Sequence, residues 1–244
     1  MRQKGQHFLV DRAIAERISQ YAKLKGDDDV LEIGPGTGSL TGVLASRAAR
    51  IFAVEVDPRL AADLRGRFSN VQVIEGDALQ VELPECNKIV SNLPYQISSK
   101  ITYRLLSMPF DLAVLMFQRE FAERMIAPVG SREYGRLGMS VGYLCDAKVL
   151  EIVPRSAFRP MPEVESAIVR LKRRQVELEP KAFMRFAEGL FRNRRKKVKK
   201  SLAAMGCSRE ALAGLDSLLL ERRPEELTPM EAAGLAASIL SAFH

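Results

Sequence analysis

A short apolar run ends in a glycine-rich turn at Val30-Leu31-Glu32-Ile33-Gly34-Pro35-Gly36-Thr37-Gly38. Glycine adopts left-handed backbone angles at little steric cost and lets a ligand approach the main chain closely. The pattern is G-x-G-x-G and residue 39 is serine, so the dinucleotide fingerprint G-x-G-x-x-G is not met. No P-loop lysine follows the turn either. The segment therefore predicts a strand whose terminal turn has room for a nucleotide-like cofactor.

Six further β-branched or apolar runs accompany this one, and up to Leu171 short runs of this kind alternate with helical patterns. Most runs lack strict polar alternation, which is typical of strands buried on both faces of a parallel sheet. Such alternation predicts a doubly wound α/β domain. The last two runs have no convincing helix between them, so we expect an antiparallel pair there. The seven runs are Val30–Ile33, Ile51–Val56, Val71–Ile74, Ile89–Val90, Leu112–Phe117, Val149–Val153 and Ala167–Leu171.

Helix signals flank this region on both sides. Asp11 is placed to cap a helix at the N-terminal end, and a helical pattern runs over 180–191. Further on, Thr228 is a predicted N-cap, with Pro229 at the first helical position and Glu231 three residues after the cap. We therefore predict an α/β domain over residues 1–174 and a small helical domain over residues 175–244.

Composition excludes several classes of function. The 244 residues include three scattered cysteines, Cys86, Cys145 and Cys207, which form no C-x-x-C pair. This spacing argues against a disulfide framework and against a cysteine zinc site. His7 and His244 are the only histidines, which nearly excludes histidine triads and histidine-rich metal sites. No metal site is expected.

The charge and hydropathy patterns indicate the setting of the protein. The formal net charge is +7, and the sequence pI is about 9.4, which suggests a polyanionic partner. The sequence shows neither the apolar core of a signal peptide nor an apolar run of membrane-spanning length. We expect a soluble, cytoplasmic protein with no membrane association.

Acidic residues follow the second and third predicted strands. Glu55 is placed to accept hydrogen bonds from both hydroxyls of a ribose, and Asp77 could bind an exocyclic amine of adenine. Sites in open α/β sheets form at the carboxyl ends of the strands, so Gly34, Glu55, Asp77 and Asn92 should converge on one crevice. The alternative is that each is ordinary loop chemistry. Two acids following successive strands make that alternative much weaker than it is for a glycine-rich turn alone.

Asn92-Leu93-Pro94-Tyr95 follows the fourth run and is suited to holding a flat base that bears an amine. The side-chain carbonyl of Asn92 and the backbone carbonyl of Leu93 or Pro94 can accept the two N–H bonds of an adenine amino group. Pro94 fixes the turn, and stacking on Tyr95 is worth about 1–3 kcal/mol. Beside a cofactor turn, this segment points to methyl transfer onto a nucleobase nitrogen. Alone, it could equally be a strand-ending turn with a packed tyrosine.

The chain resembles, over nearly its whole length, the ribosomal RNA adenine N6,N6-dimethyltransferases of the KsgA type. The resemblance rests on five ordered segments. They are Gly5-Gln6-His7-Phe8-Leu9, Glu32–Gly38, Asn92–Ser98, Tyr134-Gly135-Arg136-Leu137, and Ser156–Pro162 followed by Val164-Glu165-Ser166-Ala167.

The resemblance implies a Rossmann-like, seven-stranded methyltransferase sheet that uses S-adenosylmethionine. It implies that His7, Leu9, Gly34, Gly36 and other motif residues bind this cofactor. It implies that Asn92, Leu93, Pro94 and Tyr95 form the catalytic loop, with Phe158 as the second aromatic residue beside the target adenine. The remaining cofactor-binding residues expected are Glu55, Asp77 and Asn92.

The same resemblance implies the substrate and the partner. These are two adjacent adenosines near the 3′ end of small-subunit rRNA, each methylated twice, in a small ribosomal subunit precursor. We expect a monomer whose helical C-terminal domain helps to dock on that particle.

A basic block in the helical domain is a candidate for phosphate contacts. Its seven cations fall between residues 192 and 200 with no acid among them, and such density favours RNA binding. The alternative is a solvated helix face or loop. The block consists of Arg192, Arg194, Arg195, Lys196, Lys197, Lys199 and Lys200.

Three other functions stay open from the sequence. One is a large-subunit rRNA adenine methyltransferase of the macrolide-resistance type, which shares the sheet and a similar acceptor loop. Another is a non-catalytic factor for ribosome assembly or transcription on the same fold, against which the intact Glu55, Asp77, Asn92 and Tyr95 argue. A DNA adenine methyltransferase is the weakest of the three.

Overall fold

The computed structural model describes residues 7–241, so Gly5 and Gln6 of the opening motif lie outside the described residues. The chain divides into two compact units. The first contains Met1–Ala122 and Ala147–Arg173, and the second contains Glu123–Asp146 and Arg174–His244. The junction at Arg173 lies beside the expected boundary. Residues 123–146, however, belong to the second unit, although the sequence interpretation placed them in the first domain.

Nine strands are present in the described residues. They are β1 Phe8–Leu9, β2 Asp29–Ile33, β3 Arg50–Glu55, β4 Val71–Glu75, β5 Lys88–Asn92, β6 Leu112–Gln118, β7 Cys145–Val153, β8 Phe158–Arg159 and β9 Ser166–Arg173. The helices of the first part are α1 Arg12–Tyr21, α2 Ser39–Ala45, α3 Pro58–Leu64, α4 Ser98–Leu106 and α5 Arg119–Met125. Those that follow are α6 Arg136–Leu144, α7 Pro180–Arg192, α8 Val198–Ala204, α9 Arg209–Ala213, α10 Ser217–Glu221 and α11 Pro229–Ser241.

The predicted seven-stranded sheet is confirmed, in the order β4-β3-β2-β5-β6-β9-β7. Strands β4, β3, β2, β5 and β6 run parallel, and β9 pairs antiparallel to β6. The last two predicted runs, now β7 and β9, are neighbours as expected. Because β2 is flanked by β3 on one side and by β5 on the other, the strand order reverses there, and a crevice opens at the carboxyl ends of these strands.

Burial explains why the strand sequences are almost continuously apolar. The residues of β2, β3 and β6 are buried except at the strand ends, whereas β4 at the sheet edge is only partly covered. At the amino ends, the buried Lys88 ammonium lies 2.8 Å from an Asp28 carboxylate oxygen and donates to the carbonyls of Ala22 and Lys23. Asn87 links Asp28 to the start of β2, which fixes the register between β2 and β5.

A small second sheet forms from β1 and β8, which pair antiparallel with Phe8 opposite Arg159 and Leu9 opposite Phe158. The sequence did not predict this pair. It begins directly after His7, so it fixes where residues 7–9 lie against the first unit. The predicted cap of α1 is confirmed, because the Asp11 carboxylate accepts hydrogen bonds from the backbone N–H groups of Ala13 and Ile14.

The second unit is helical within its described residues. Helix α6 packs against α7, and the rings of Tyr143 and Phe183 lie 4.1 Å apart between centroids. Helix α7 matches the helix predicted over 180–191. The predicted capping box of α11 is also confirmed, since Thr228 and Glu231 exchange backbone-to-side-chain hydrogen bonds of 2.7 and 3.2 Å. No helix within residues 7–241 combines the length and the apolar character that crossing a bilayer requires.

Candidate active site

A cavity of about 420 Å³ opens at the carboxyl ends of β2, β3, β4 and β5 in the first unit. Ten of the eleven residues predicted for catalysis or cofactor binding line it, and only Phe158 does not. The ten are His7, Leu9, Gly34, Gly36, Glu55, Asp77, Asn92, Leu93, Pro94 and Tyr95. The topology thus brings together residues that are far apart in the chain.

The glycine turn after β2 forms the floor of this cavity. Gly34 and Gly36 have φ angles of +67° and +57°, which L side chains rarely adopt. A Cβ atom on Gly36 would lie 2.7 Å from the Phe8 ring, and one on Gly34 would lie 3.1 Å from Cγ of Pro94. Both positions therefore require glycine, and Gly34 brings the turn into close contact with the predicted acceptor loop.

Glu55 ends β3 with its carboxylate held in place. Its Oε2 accepts a hydrogen bond from the Gly36 N–H at 3.0 Å, and its Oε1 accepts one from the Asp57 N–H at 2.9 Å. The side chain is only 3% exposed and lines the cavity. A carboxylate has about four lone-pair sites, so both oxygens can still accept hydroxyl hydrogens. This geometry is suited to a ribose.

Asp77 follows β4 at the rim of the cavity. One carboxylate oxygen accepts the Leu79 N–H at 2.8 Å, which fixes the side chain in its turn. The other oxygen makes no hydrogen bond within the described part of the chain, so it is available to an amine donor. The side chain is exposed, as a rim position requires.

Glu32 is a cavity residue to which the sequence analysis gave no role. It lies in β2, is 1% exposed and borders the cavity, and its Oε2 has no hydrogen-bond partner within the described residues. The pKa of Glu32 is raised to about 8, mainly by burial and in smaller part by the nearby Glu55. Thr41 lies close enough to oppose this rise in part, although its hydroxyl lacks the geometry of a hydrogen bond. The signal in the sequence was an acid inside an otherwise apolar strand.

The acceptor loop leaves two hydrogen-bond acceptors available. The Asn92 side chain has no partner among residues 7–241. The Pro94 carbonyl already accepts from the Ile97 N–H at 3.2 Å and from the Ser98 hydroxyl at 3.4 Å. The Leu93 carbonyl accepts no such bond from the described residues. Of the two backbone carbonyls that the sequence left open, the Leu93 carbonyl is therefore the one available to an amine.

Tyr95 borders the cavity beside this loop. Its hydroxyl lies 2.6 Å from Oγ of Ser166, and burial raises the pKa of Tyr95. The His7 ring lies 5.7 Å from the Tyr95 ring, tilted by 32°. Since the Pro160 carbonyl can only accept, the Nδ1 atom of His7 donates to it at 2.8 Å. Tyr95 and His7 are thus each held by a hydrogen bond to a residue that does not line the cavity.

Phe158 is the predicted site residue that the structure does not bring to the cavity. Its side chain is 0% exposed and packs in the core with Leu9 and Ile14, opposite Leu9 in the β1–β8 pair. A base could touch this ring only if that pair opened. Contact between Phe158 and the target adenine stays a prediction, while in the structure Phe158 supports the segment that bears His7.

The predicted basic block lies at the junction of α7 and α8 in the second unit, and four of its seven cations are paired there. Arg192 lies 3.5 Å from Glu188. Arg194 binds Glu225 and donates to the Arg132 carbonyl at 2.7 Å. Lys197 and Lys199 both contact the Glu221 carboxylate. The remaining three cations of the block, Arg195, Lys196 and Lys200, are exposed and make no ion pair within residues 7–241.

Comparison with known proteins decides the family. A family model described as ribosomal RNA adenine dimethylase matches residues 1–231. The chain belongs to the ribosomal RNA adenine dimethylase family. The predicted family, the predicted fold class and the predicted enzyme class are thereby confirmed, and the chain is an rRNA adenine methyltransferase.

Individual relatives of this dimethylase agree. The chain is 45% identical to the probable ribosomal RNA small subunit methyltransferase A of Methanothermobacter thermautotrophicus, with 98% of this chain and 90% of the relative covered. The Methanosarcina mazei protein of the same description is 44% identical over 96% of this chain and 91% of its own. A dimethyladenosine transferase structure from Plasmodium falciparum superposes with a TM-score of 0.82 at 30% identity, covering 97% of both chains. The 23S rRNA methyltransferase ErmE superposes with a TM-score of 0.71 at 32% identity, covering 95% of this chain and 99% of ErmE.

Proposed function

We propose that this dimethylase uses S-adenosylmethionine to methylate twice each of two adjacent adenosines near the 3′ end of small-subunit rRNA. The observation that best supports the proposal is the pair of available acceptors, the Asn92 amide and the Leu93 carbonyl, beside a cavity suited to a nucleoside cofactor. The cofactor, when bound, supplies an activated methyl group on a sulfonium cation.

The residues of the cavity fit that cofactor. Gly34 and Gly36 line the cavity and hold the left-handed turn, so the main chain itself can contact the ligand. Glu55 would accept the hydroxyls of its ribose, and the unpaired oxygen of Asp77 would accept its adenine amine. His7 and Leu9 close the cavity from the opening segment.

The acceptor loop would orient the target amine. The lone pair of an adenine amino group is delocalised into the ring, so the group is a poor nucleophile. If Asn92 and the Leu93 carbonyl each accept one of its N–H bonds, the nitrogen is favoured in a pyramidal form whose lone pair faces the methyl donor. Catalysis then comes mainly from positioning and from dipoles aimed at developing charge. No metal and no strong base is required.

Docking on RNA would be separate from this chemistry. A base must leave its stack to enter such a site, and Tyr95 offers it a stacking face. The exposed cations Arg195, Lys196 and Lys200 are suited to phosphates, which give affinity without sequence preference. We further propose that the protein acts as a monomer in the cytoplasm, on a precursor of the small ribosomal subunit.

The large-subunit alternative has one observation in its favour, the likeness to the 23S rRNA methyltransferase ErmE at 32% identity. Relatives described as small subunit methyltransferases reach 44 to 45% identity over most of their length. The small subunit is therefore the favoured substrate.

Methyl transfer to purified particles distinguishes the two substrates. Under-methylated small subunits and large subunits are each incubated with the enzyme and a labelled methyl donor. We expect label in the RNA of the small subunit alone. Label in large-subunit RNA alone would overturn the proposal in favour of the ErmE-like activity, and label in neither would argue against both substrates.

A further inference from the structure

The buried hydroxyl of Ser166 makes one hydrogen bond among the described residues, and its partner is the hydroxyl of Tyr95 at 2.6 Å. Ser166 is 0% exposed and does not line the cavity, whereas Tyr95 does. We propose that Ser166 is a positioning residue, which holds the Tyr95 ring in the orientation that receives the target adenine. This inference rests on the acceptor role proposed above for Tyr95.

The sheet topology explains how residues so distant in sequence meet. Ser166 begins β9 and pairs with Gln118 at the carboxyl end of β6. The neighbouring strand β5 ends at Asn92, opposite Met116 of β6. Because β9 runs antiparallel to β6, its first residue lies at the edge of the sheet where the acceptor loop emerges.

A bond at this atom fixes where the ring lies. The hydroxyl oxygen lies on the axis about which the ring turns, so fixing it limits the first side-chain torsion, and rotation of the ring about its own axis is limited by the neighbouring His7 ring. The His7 ring lies against the same tyrosine and is itself tied to the Pro160 carbonyl. Tyr95 is thus held at its tip and on one side, while its aromatic surface still borders the cavity. A stacking surface that is already oriented loses less conformational freedom when a base arrives.

The bond also explains the placement of a polar group in this core. A buried hydroxyl without a partner is costly, and the Tyr95 hydroxyl is the partner that Ser166 has within residues 7–241. Since each hydroxyl satisfies the other, the bond does not require Tyr95 to act as an acid or a base. Ser166 acts on the reaction through Tyr95 alone.

Single-turnover methylation of under-methylated small subunits tests this with four proteins: wild type, Ser166→Ala, Tyr95→Phe and the double variant. Both single changes remove the same bond and keep an aromatic ring. We expect each to slow methylation about five- to tenfold, the effect of one hydrogen bond of ordinary strength. The double variant should be no slower than the slower single variant, and S-adenosylmethionine affinity should be unchanged in all four. A purely structural role for Ser166 would instead produce effects that multiply.

Ser19→Ala is the matched control, because Ser19 on α1 is only 1% exposed, accepts a hydrogen bond from Arg47 and does not line the cavity. It should methylate at the wild-type rate. Normal rates in folded Ser166→Ala and in Tyr95→Phe, or multiplying effects in the double variant, would overturn the inference. If Ser166→Ala does not fold, a normal rate in Tyr95→Phe alone would do so.

Tyr95→Ala separates this inference from the proposed function. If Tyr95→Ala methylates normally, the acceptor role of Tyr95 fails, and the Ser166 inference fails with it. If Tyr95→Ala is strongly impaired while the two single variants are normal, the acceptor role stands and only the positioning role of Ser166 is lost.

Discussion

Removal of the three exposed, unpaired cations of the basic block should weaken binding to small subunits without changing the fold. The change is Arg195→Gln, Lys196→Gln and Lys200→Gln in one protein. These side chains make no ion pair within residues 7–241, so their loss leaves no acid unpaired there. Arg194 must be kept, because its guanidinium binds Glu225 and the Arg132 carbonyl within the second unit.

The magnitude follows from counterion release. The logarithm of the binding constant falls with the logarithm of salt concentration by about 0.7 to 0.9 for each phosphate contact. Three lost contacts should therefore reduce the slope by about 2 to 3. If the binding curves of the variant and wild type meet near 1 M salt, the same slopes give a loss of about 100-fold or more at 0.1 M.

The assay is the affinity for purified small subunits across a salt series. A matched control removes the same charge at Lys23, Lys25 and Lys172, which are exposed and lie at the amino ends of the strands, opposite the cavity. We expect the control to keep the wild-type slope. Equal slopes for all three proteins would show that the block is a solvated surface, and equal reductions in both variants would show that only net charge matters.

Arg194→Ala is the structural contrast to that triple variant. It should lower the free energy of unfolding by about 1 to 2 kcal/mol, after allowing for partial solvent exposure of the ion pair. Chemical denaturation measures this. An unchanged stability together with a large loss of particle affinity would instead place Arg194 among the RNA contacts.

Three further changes test the cavity. Glu55→Ala should weaken S-adenosylmethionine binding about 10- to 100-fold with little effect on RNA binding, since two hydrogen bonds to a carboxylate are lost; calorimetry that finds unchanged cofactor affinity would remove Glu55 from the site. Asn92→Ala should lower the single-turnover rate about 100-fold or more while cofactor affinity holds, because its contact matters most in the transition state; a near-normal rate would refute that role. Burial raises the pKa of Glu32 from 4.5 to about 8. Between these pH values the Glu32 carboxyl group holds a proton in the folded protein and releases it on unfolding. The free energy of unfolding should therefore fall by up to about 1.4 kcal/mol per pH unit as pH rises. Denaturation of cofactor-free Glu32→Gln from about pH 5 to pH 8 should show a shallower decline than wild type, and equal slopes would contradict the assignment.

The sheet was predictable because each strand carries its own signal. Runs such as Ile51–Val56 and Leu112–Phe117 are apolar on both faces, and this pattern is typical of strands that are buried on both faces of a sheet. Helix ends were equally readable where a side chain caps the backbone, as at Asp11 and Thr228. The convergence of Gly34, Glu55, Asp77 and Asn92 followed from the topology, since parallel strands end at one edge.

Other features depend on contacts that local sequence does not encode. The two-residue strands β1 and β8 are too short for any periodicity, so neither the location of His7 nor the burial of Phe158 could be deduced. The assignment of residues 123–146 to the helical unit follows from packing of α6 against α7. The block at 192–200 appeared uniformly cationic, because Glu221 and Glu225 lie far along the chain from the cations that they neutralise.

Tyr95 combines a feature that the sequence predicts with one that it does not. Its place after the fourth predicted strand marked it as an acceptor residue. Its restraint by Ser166 depends on the antiparallel entry of β9 beside β6, which no spacing in the sequence specifies. In this protein the residues proposed for the chemistry were recognisable one at a time, and the residues that hold them in place were not.

The most direct test of the account is nucleoside analysis of small-subunit rRNA after reaction with the enzyme and S-adenosylmethionine, with the modified positions mapped. We expect N6,N6-dimethyladenosine at two adjacent positions near the 3′ end, and almost none with Asn92→Ala. Methyl groups on another base or another atom of adenine, or full modification by Asn92→Ala, would contradict it.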